Sequence, residues 1–143
     1  MPCEASVTTE TANGGFNSLL GLELKGFQGD DYCIELMLGP QHLHEANGVH
    51  GGVYLSLLDT AMARASRAGS LPGSYTPTLE LKTNFLRAKS SGRILAKARV
   101  VSRTRRTFYV EGELMDETGL LLARASATMM LVAPREPTLV QGA

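Results

Sequence analysis

This 143-residue chain has no tryptophan, two cysteines and only 6% aromatic residues. Its core must therefore be aliphatic, and 43% hydrophobic content over this length is enough for one compact domain. Cys3 stands in a polar terminal stretch and Cys33 in an apolar run, which excludes a disulfide framework or a cysteine metal knuckle and suits a reducing compartment. No apolar run reaches the length of a membrane span, and the first fifteen residues lack the apolar stretch of a secretory signal. A cytoplasmic protein with no membrane partner is expected. Net charge is also missing, since 14 Lys and Arg balance 14 Asp and Glu. The balance breaks locally: from Lys82 to Arg106 there are nine basic residues and no acidic one. Alternation over 94–101 puts some of these on the solvent face of a strand. Arg87, Lys89, Arg103, Arg105 and Arg106, near expected strand ends, are candidates for a basic rim that takes phosphate. Nucleic acid is not expected, because the aromatics are not interleaved with these charges and the chain as a whole is not basic.

What is present has a clear order. Residues 1–15 and 133–143 read as flexible termini around a single domain of residues 16–132. A short helix is predicted over 14–20, followed by a hairpin of 22–28 and 32–38 turning at Gly29-Asp30. Residues 41–49 form a loop, and a helix over 51–68 is closed by Gly69 and Pro72. Four extended runs follow, at 76–86, 93–102, 107–116 and 120–132, with turns between them. Meander spacing predicts an antiparallel sheet, so the fold class is α+β with about six strands. The long apolar helix is the one candidate to cover the sheet's apolar face.

That helix carries the chemistry. His50-Gly51-Gly52 stands at its start, and Asp59 follows in a segment, 53–63, that is apolar nearly all round and reads as buried. The helical neighbours of Asp59 are Leu55, Ser56, Met62 and Ala63, none of them a cation, and Arg64 and Arg67 lie at spacings that point elsewhere. A buried carboxylate without a local partner is costly, and such groups concentrate at functional sites. The structural alternative is an acid bonded to a serine or threonine.

The run His50-Gly51-Gly52 with Asp59 and Ala61 downstream, an asparagine and a glycine in the preceding loop, and Gly92 and Gly119 at strand turns resembles the phenylacetic-acid-degradation (PaaI)-type thioesterases of the hotdog superfamily. The resemblance covers residues 16–132. It implies a curved antiparallel sheet wrapped round a central helix, homodimers that pair into homotetramers, and hydrolysis of acyl-coenzyme A thioesters with neither metal nor cofactor. It also implies that Thr78 helps position water, although an ordinary strand threonine would look the same. The chain departs from the family in the loop: His44 stands where many members have asparagine, and Asn47 where they have glycine. Asparagine tolerates the left-handed backbone that such a glycine suggests. His44 either replaces the usual asparagine or leaves its role unfilled.

The first backbone N–H groups of a helix lack internal partners and carry the positive end of its dipole. Gly51 and Gly52 could thus polarise a thioester carbonyl, with Asp59 as general base or nucleophile. His50 either joins the reaction or orients the loop. Asp59 lies eight residues beyond Gly51, about 12 Å along a helix, too far for both to act on one carbonyl within a chain. If both act on the same thioester, the site is shared between two copies. Asn47, Tyr54, Arg87, Lys89, Arg105 and Arg106 are the expected substrate contacts, and Tyr54, Tyr75, Phe85 and Phe108 line either an acyl pocket or the core. His42, His44, Glu45 and His50 lack a metal-ligand register, so no metal is expected. A non-catalytic acyl-coenzyme A binding module is the alternative function. A hotdog hydratase or dehydratase would call for a histidine after Asp59 on the helix, and there is none.

Overall fold

The computed structural model describes residues 10–11 and 15–135. Among them are β1 (Glu10–Thr11), α1 (Gly15–Leu20), β2 (Glu23–Gln28), β3 (Asp31–Met37), a 3₁₀ turn (Pro40–His42), α2 (Gly51–Arg67), β4 (Thr78–Phe85), β5 (Arg93–Arg103), β6 (Thr107–Asp116) and β7 (Leu121–Met130). No helix among the described residues is long and apolar enough to cross a membrane. The six strands read from the sequence are present as β2 to β7. A seventh, β1, adds to the edge of β2 through Glu10 opposite Leu24 and Thr11 opposite Glu23. Glu10–Thr11 fall within the segment 1–15 expected to be flexible; residues 1–9, 12–14 and 136–143 of the expected termini lie outside the described residues.

All pairings are antiparallel, in the order β1-β2-β3-β5-β6-β7-β4. The simple meander expected after the helix is corrected in one place. β4 lies beside β7 at the far edge, not beside β5, because α2 crosses the sheet face and delivers the chain to the opposite side. Five strands, β3 to β7, touch α2. They span about 19 Å edge to edge at normal strand spacing, nearly twice the width of a helix, so the sheet must curve to reach it.

The inner face of the sheet is built small. Period-two alternation turns Ala96 and Ala98 of β5, Gly112 of β6, and Ala123, Ala125 and Ala127 of β7 toward the helix. Leu57, Leu58, Ala61 and Met62 of α2 fill the space above them and are fully buried. The closest approach is at Gly112, where a β-carbon would stand 2.8 Å from the Met62 methyl and 3.2 Å from Leu58 Cδ2. A larger residue there would displace both side chains from the floor.

The loop before α2 is anchored by His42, only 1% exposed. Its Nδ1 accepts from the Gly39 N–H at 2.9 Å, and its Nε2 donates to the Leu20 carbonyl at 2.7 Å. Both ring nitrogens are spent on backbone, so His42 serves the fold. The same end of the sheet is clasped by the β6–β7 turn. Asp116 Oδ1 accepts from the Thr118 hydroxyl (2.7 Å), the Thr118 N–H (2.8 Å) and the Leu120 N–H (3.0 Å), with Lys89 at 3.6 Å from its other oxygen. These bonds, the Thr118 hydroxyl first, hold the Asp116 carboxyl at about 2, below its usual 3.8.

A depressed carboxylate stabilises the fold above its unfolded-state value and loses that contribution as pH falls toward the folded value. The benefit of Asp116 should therefore be complete above about pH 4 and drain away toward about pH 2. Thermal unfolding of wild type and Asp116→Asn across this range should show a Tm gap that closes as pH drops. A gap of constant width would show that the charge contributes nothing.

Candidate active site

α2 begins with an unusual cap. His50 is extended (φ −60°, ψ 134°), and its Nδ1 accepts from the Gly52 N–H at 2.8 Å. Accepting at Nδ1 leaves the neutral ring with its proton on Nε2. The Val53 N–H donates to the His50 carbonyl at 2.9 Å. Among the described residues, the Gly51 N–H alone of these first amides has no acceptor. The expected pair of donors, Gly51 and Gly52, is thus corrected to one, because the imidazole occupies the second. The His50 ring thereby ties the loop to the start of the helix.

The Gly51 amide opens on a cavity of about 300 Å³ lined by His44, Val49, Gly51, Tyr54 and residues 85–88. The Phe85 ring lies 3.3 Å from where a Gly51 β-carbon would be, so glycine here allows the ring to close over the amide. Tyr54 stacks on Phe85 at 6.3 Å and 25°, and its hydroxyl donates to the Arg87 carbonyl at 3.3 Å. Burial raises the Tyr54 pKa and keeps that hydroxyl a donor. His44 Nδ1 accepts from the Ala46 N–H at 3.0 Å, which again leaves Nε2 to donate. Asn47 adopts φ 60°, the left-handed conformation expected of it. It is exposed in the turn and is not among the residues that line this cavity.

Asp59 lies in a different cavity, of about 400 Å³. The Thr78 hydroxyl donates to Asp59 Oδ1 at 2.5 Å, so β4 supplies the partner that the helix lacks. Two parts of the sequence reading are corrected here. The helix is not buried all round: Ser56, Asp59, Thr60, Ala63, Arg64 and Arg67 form a half-buried stripe that the sheet leaves uncovered. Arg64 and Arg67 do not point away, but line the same cavity as Asp59. Eight residues along a helix return to within about 80° of the starting direction, and an arginine side chain spans the difference. Sequence reasoning also missed Phe16 and Asn17 of α1, which complete the wall. Their only signal was the short helix itself.

The basic rim comes apart. Arg87 lines the cavity at Gly51, with its Nη1 donating to the Leu121 carbonyl at 2.8 Å. Lys89 is committed to Glu117 (2.9 Å) and Asp116 (3.6 Å) and is corrected to a structural cation. Arg105 and Arg106 are exposed in the β5–β6 turn at the opposite end of the sheet, since Thr107 pairs with Met130 while Phe85 pairs with Ala123. Within one chain they cannot join Gly51 and Arg87. Arg103 covers the Phe108 ring at 4.6 Å, and Phe108 is core. Tyr75 lines the Asp59 cavity. Among the described residues, no three His, Cys, Asp or Glu side chains are grouped as a metal site would need.

The two cavities share no lining residue, yet β4 links them, with Thr78 at one end bonded to Asp59 and Phe85 at the other lining the second cavity. The sequence model of the thioesterase superfamily matches residues 46–123, which hold Gly51, Asp59 and Thr78. A curated protein of Archaeoglobus fulgidus is 29% identical over 100 residues, a match that covers 69% of this chain and 63% of the relative, under two thirds of its length. A mutant of the phenylacetic acid degradation protein PaaI from Thermus thermophilus superposes with a TM-score of 0.70 at 26% identity, covering 78% of this chain and 94% of that one. A Bacillus halodurans protein whose crystal structure was determined with CoA superposes at 0.76 and 25% identity, covering 82% and 78%.

Replacing His50 by alanine removes the cap on the Gly52 amide and should destabilise the protein by about 0.5–2 kcal/mol, whereas His50→Asn, a good N-cap, should recover most of the loss. Urea unfolding of the three proteins measures this. Equal stability of all three would show that the cap contributes nothing.

Proposed function

The chain belongs to the thioesterase superfamily, whose model covers more than half its length, and we propose that it hydrolyses acyl-coenzyme A thioesters at sites completed by two copies of itself. Its fold is the hotdog of the PaaI type that the sequence resembles. The observation that carries the shared site is the separation of the free Gly51 amide from the Asp59–Thr78 pair into two cavities at opposite ends of β4.

β4 is an edge strand, paired among the described residues with β7 alone. Leu79, Phe85 and Leu86 along it and just beyond it are 57%, 53% and 50% exposed. An apolar edge of this kind is a template for another strand. If a second β4 adds antiparallel about a two-fold axis, the Thr78 end of one chain meets the Phe85 end of the other. Asp59 of the partner subunit then approaches Gly51 at both ends of the pair. Such a dimer also carries the Arg105–Arg106 turn of one chain toward the end of the site that it cannot reach alone.

In this reading the thioester oxygen accepts from the Gly51 N–H, at the positive end of α2. His44 Nε2–H is the second donor lining that cavity, in place of the family's asparagine. The partner's Asp59 acts as general base on water or as nucleophile; Thr78 holds Oδ1 and leaves the second oxygen for the reaction. Water oxygen ends on the acyl carbon, the carbon–sulfur bond breaks, and the thiolate takes up the proton released. The CoA in the Bacillus halodurans structure supports coenzyme A as the leaving group, with Arg87 at the mouth of the Gly51 cavity.

Two variants test the shared site. Asp59→Ala removes the base and should slow thiol release from acyl-coenzyme A by about 10²–10⁴-fold. Gly51→Pro removes the free amide, and Gly51→Ala, which keeps the amide and sets the same β-carbon 3.3 Å from the Phe85 ring, is its control. Proline is favoured at the first helical position, and the extended His50 suits a following proline. Its expected loss is about 10²–10³-fold. Mixing the two inactive proteins under subunit exchange should restore roughly a quarter of wild-type activity, because half of the dimers then carry one intact site. No recovery in demonstrated heterodimers would sink the shared site, full activity of Asp59→Ala would remove Asp59 from the reaction, and no thiol release by wild type would leave a binding module. His44→Asn should keep more activity than His44→Ala and flatten the pH–rate profile; an unchanged profile and rate would remove His44 from the reaction.

A further inference from the structure

The cavity beside Asp59 contains more than hydrolysis requires. Asp59, held by Thr78, stands at one end of it. Further along α2 the same wall carries Arg64 and Arg67, five and eight residues beyond Asp59, about 7.5 and 12 Å along the axis. Among the described residues neither guanidinium donates a hydrogen bond or forms an ion pair. Three other arginines of this fold are matched by carboxylates: Arg93 with Glu35 at 3.0 Å, Arg99 with Asp31 at 2.9 Å and Arg124 with Glu113 at 2.8 Å. Arg64 and Arg67 are half-buried, and burial together with the Arg64 charge lowers the pKa of Arg67, as two crowded cations without a counter-ion require. Phe16 and Tyr75 flank the space, 61% and 55% exposed in the single chain. The cavity therefore has aromatic walls, a reactive carboxylate at one end and two uncompensated guanidiniums at the other.

We infer that this cavity receives the acyl group and that Arg64 and Arg67 select acyl groups ending in a carboxylate. The inference rests on the shared-site thioesterase reading for where the thioester carbonyl sits. A planar guanidinium fork matches a carboxylate with two parallel hydrogen bonds, and partial burial strengthens them. The distances suit an acyl chain of medium length or an aryl ring that keeps its terminal charge away from Asp59. The coenzyme's phosphates are the other anions that a substrate would bring to these arginines, and the experiment separates the two sources.

Two thioesters of equal chain length, adipoyl-coenzyme A and hexanoyl-coenzyme A, differ in the terminal carboxylate alone. Wild type should favour adipoyl-coenzyme A in kcat/KM on the order of 10- to 100-fold, the worth of charge-assisted hydrogen bonds. In Arg64→Gln/Arg67→Gln, with a wild-type Tm, that ratio should fall to near one. A wild-type ratio near one, or a ratio that survives the double substitution, overturns the inference. Equal loss on both thioesters, reversed when pantetheine thioesters replace them, assigns the arginines to the nucleotide phosphates and overturns it too. Calorimetric affinities of both thioesters for Asp59→Ala read the same ratio without turnover. A preference seen there, with wild type hydrolysing neither thioester, would uphold the carboxylate subsite and reject the hydrolase reading.

Discussion

The close seating of α2 on a floor of glycine and alanine is the contact on which the rest of the molecule depends. At Gly112 a β-carbon would press on the ends of the Met62 and Leu58 side chains, and alanines of β5 and β7 extend the same shallow trough. A helix lying that near the sheet reaches five strands only if the sheet bends toward it. The crossing helix also sends β4 to the far edge, where Thr78 comes under Asp59 and Phe85 under Gly51. One packing relation thereby sets the curvature, the exposed edge and the positions of both groups proposed to act.

The stiffness of that helix gives the proposed site its two-chain character. A straight α-helix cannot bring residues eight positions apart to one atom, and the fold places them in cavities with no residue in common. Each cavity is prepared on its own. At the helix start, His50 occupies the Gly52 amide and so leaves Gly51 as the donor that points outward. At the strand, Thr78 orients one oxygen of Asp59. Neither arrangement needs a ligand to form, which is the condition for electrostatic assistance without reorganisation during the reaction.

Much of this was legible in the residues. The hairpin at Gly29-Asp30, the helix from Gly51 and the four later strands follow from period-two and period-3.6 patterns bounded by glycine and proline, and all are present. The left-handed turn at Asn47 was readable for the same local reason. Less legible was the stripe on α2. Ser56, Thr60 and Ala63 are small enough to read as buried, and carrying the helical wheel two turns past Asp59 would have brought Arg67 to its cavity, while Arg64, about 140° away, reaches it only by the length of its side chain. The basic run misled because its cations have partners distant in sequence: Lys89 meets Glu117, Arg93 meets Glu23 and Glu35, and Arg99 meets Asp31.

The sequence by itself determined the order and type of the elements, the glycines at the start of α2 and the spacing that keeps Gly51 from Asp59. These depend on neighbours a few residues apart, whose geometry the backbone dictates. Tertiary structure alone decided that β4 lies beside β7, that His50 takes the Gly52 amide while His42 is spent on the loop, and which arginines are paired. Those outcomes depend on which side chains meet after the sheet has curved round the helix, and the competition for one amide or one carboxylate is settled only by that packing.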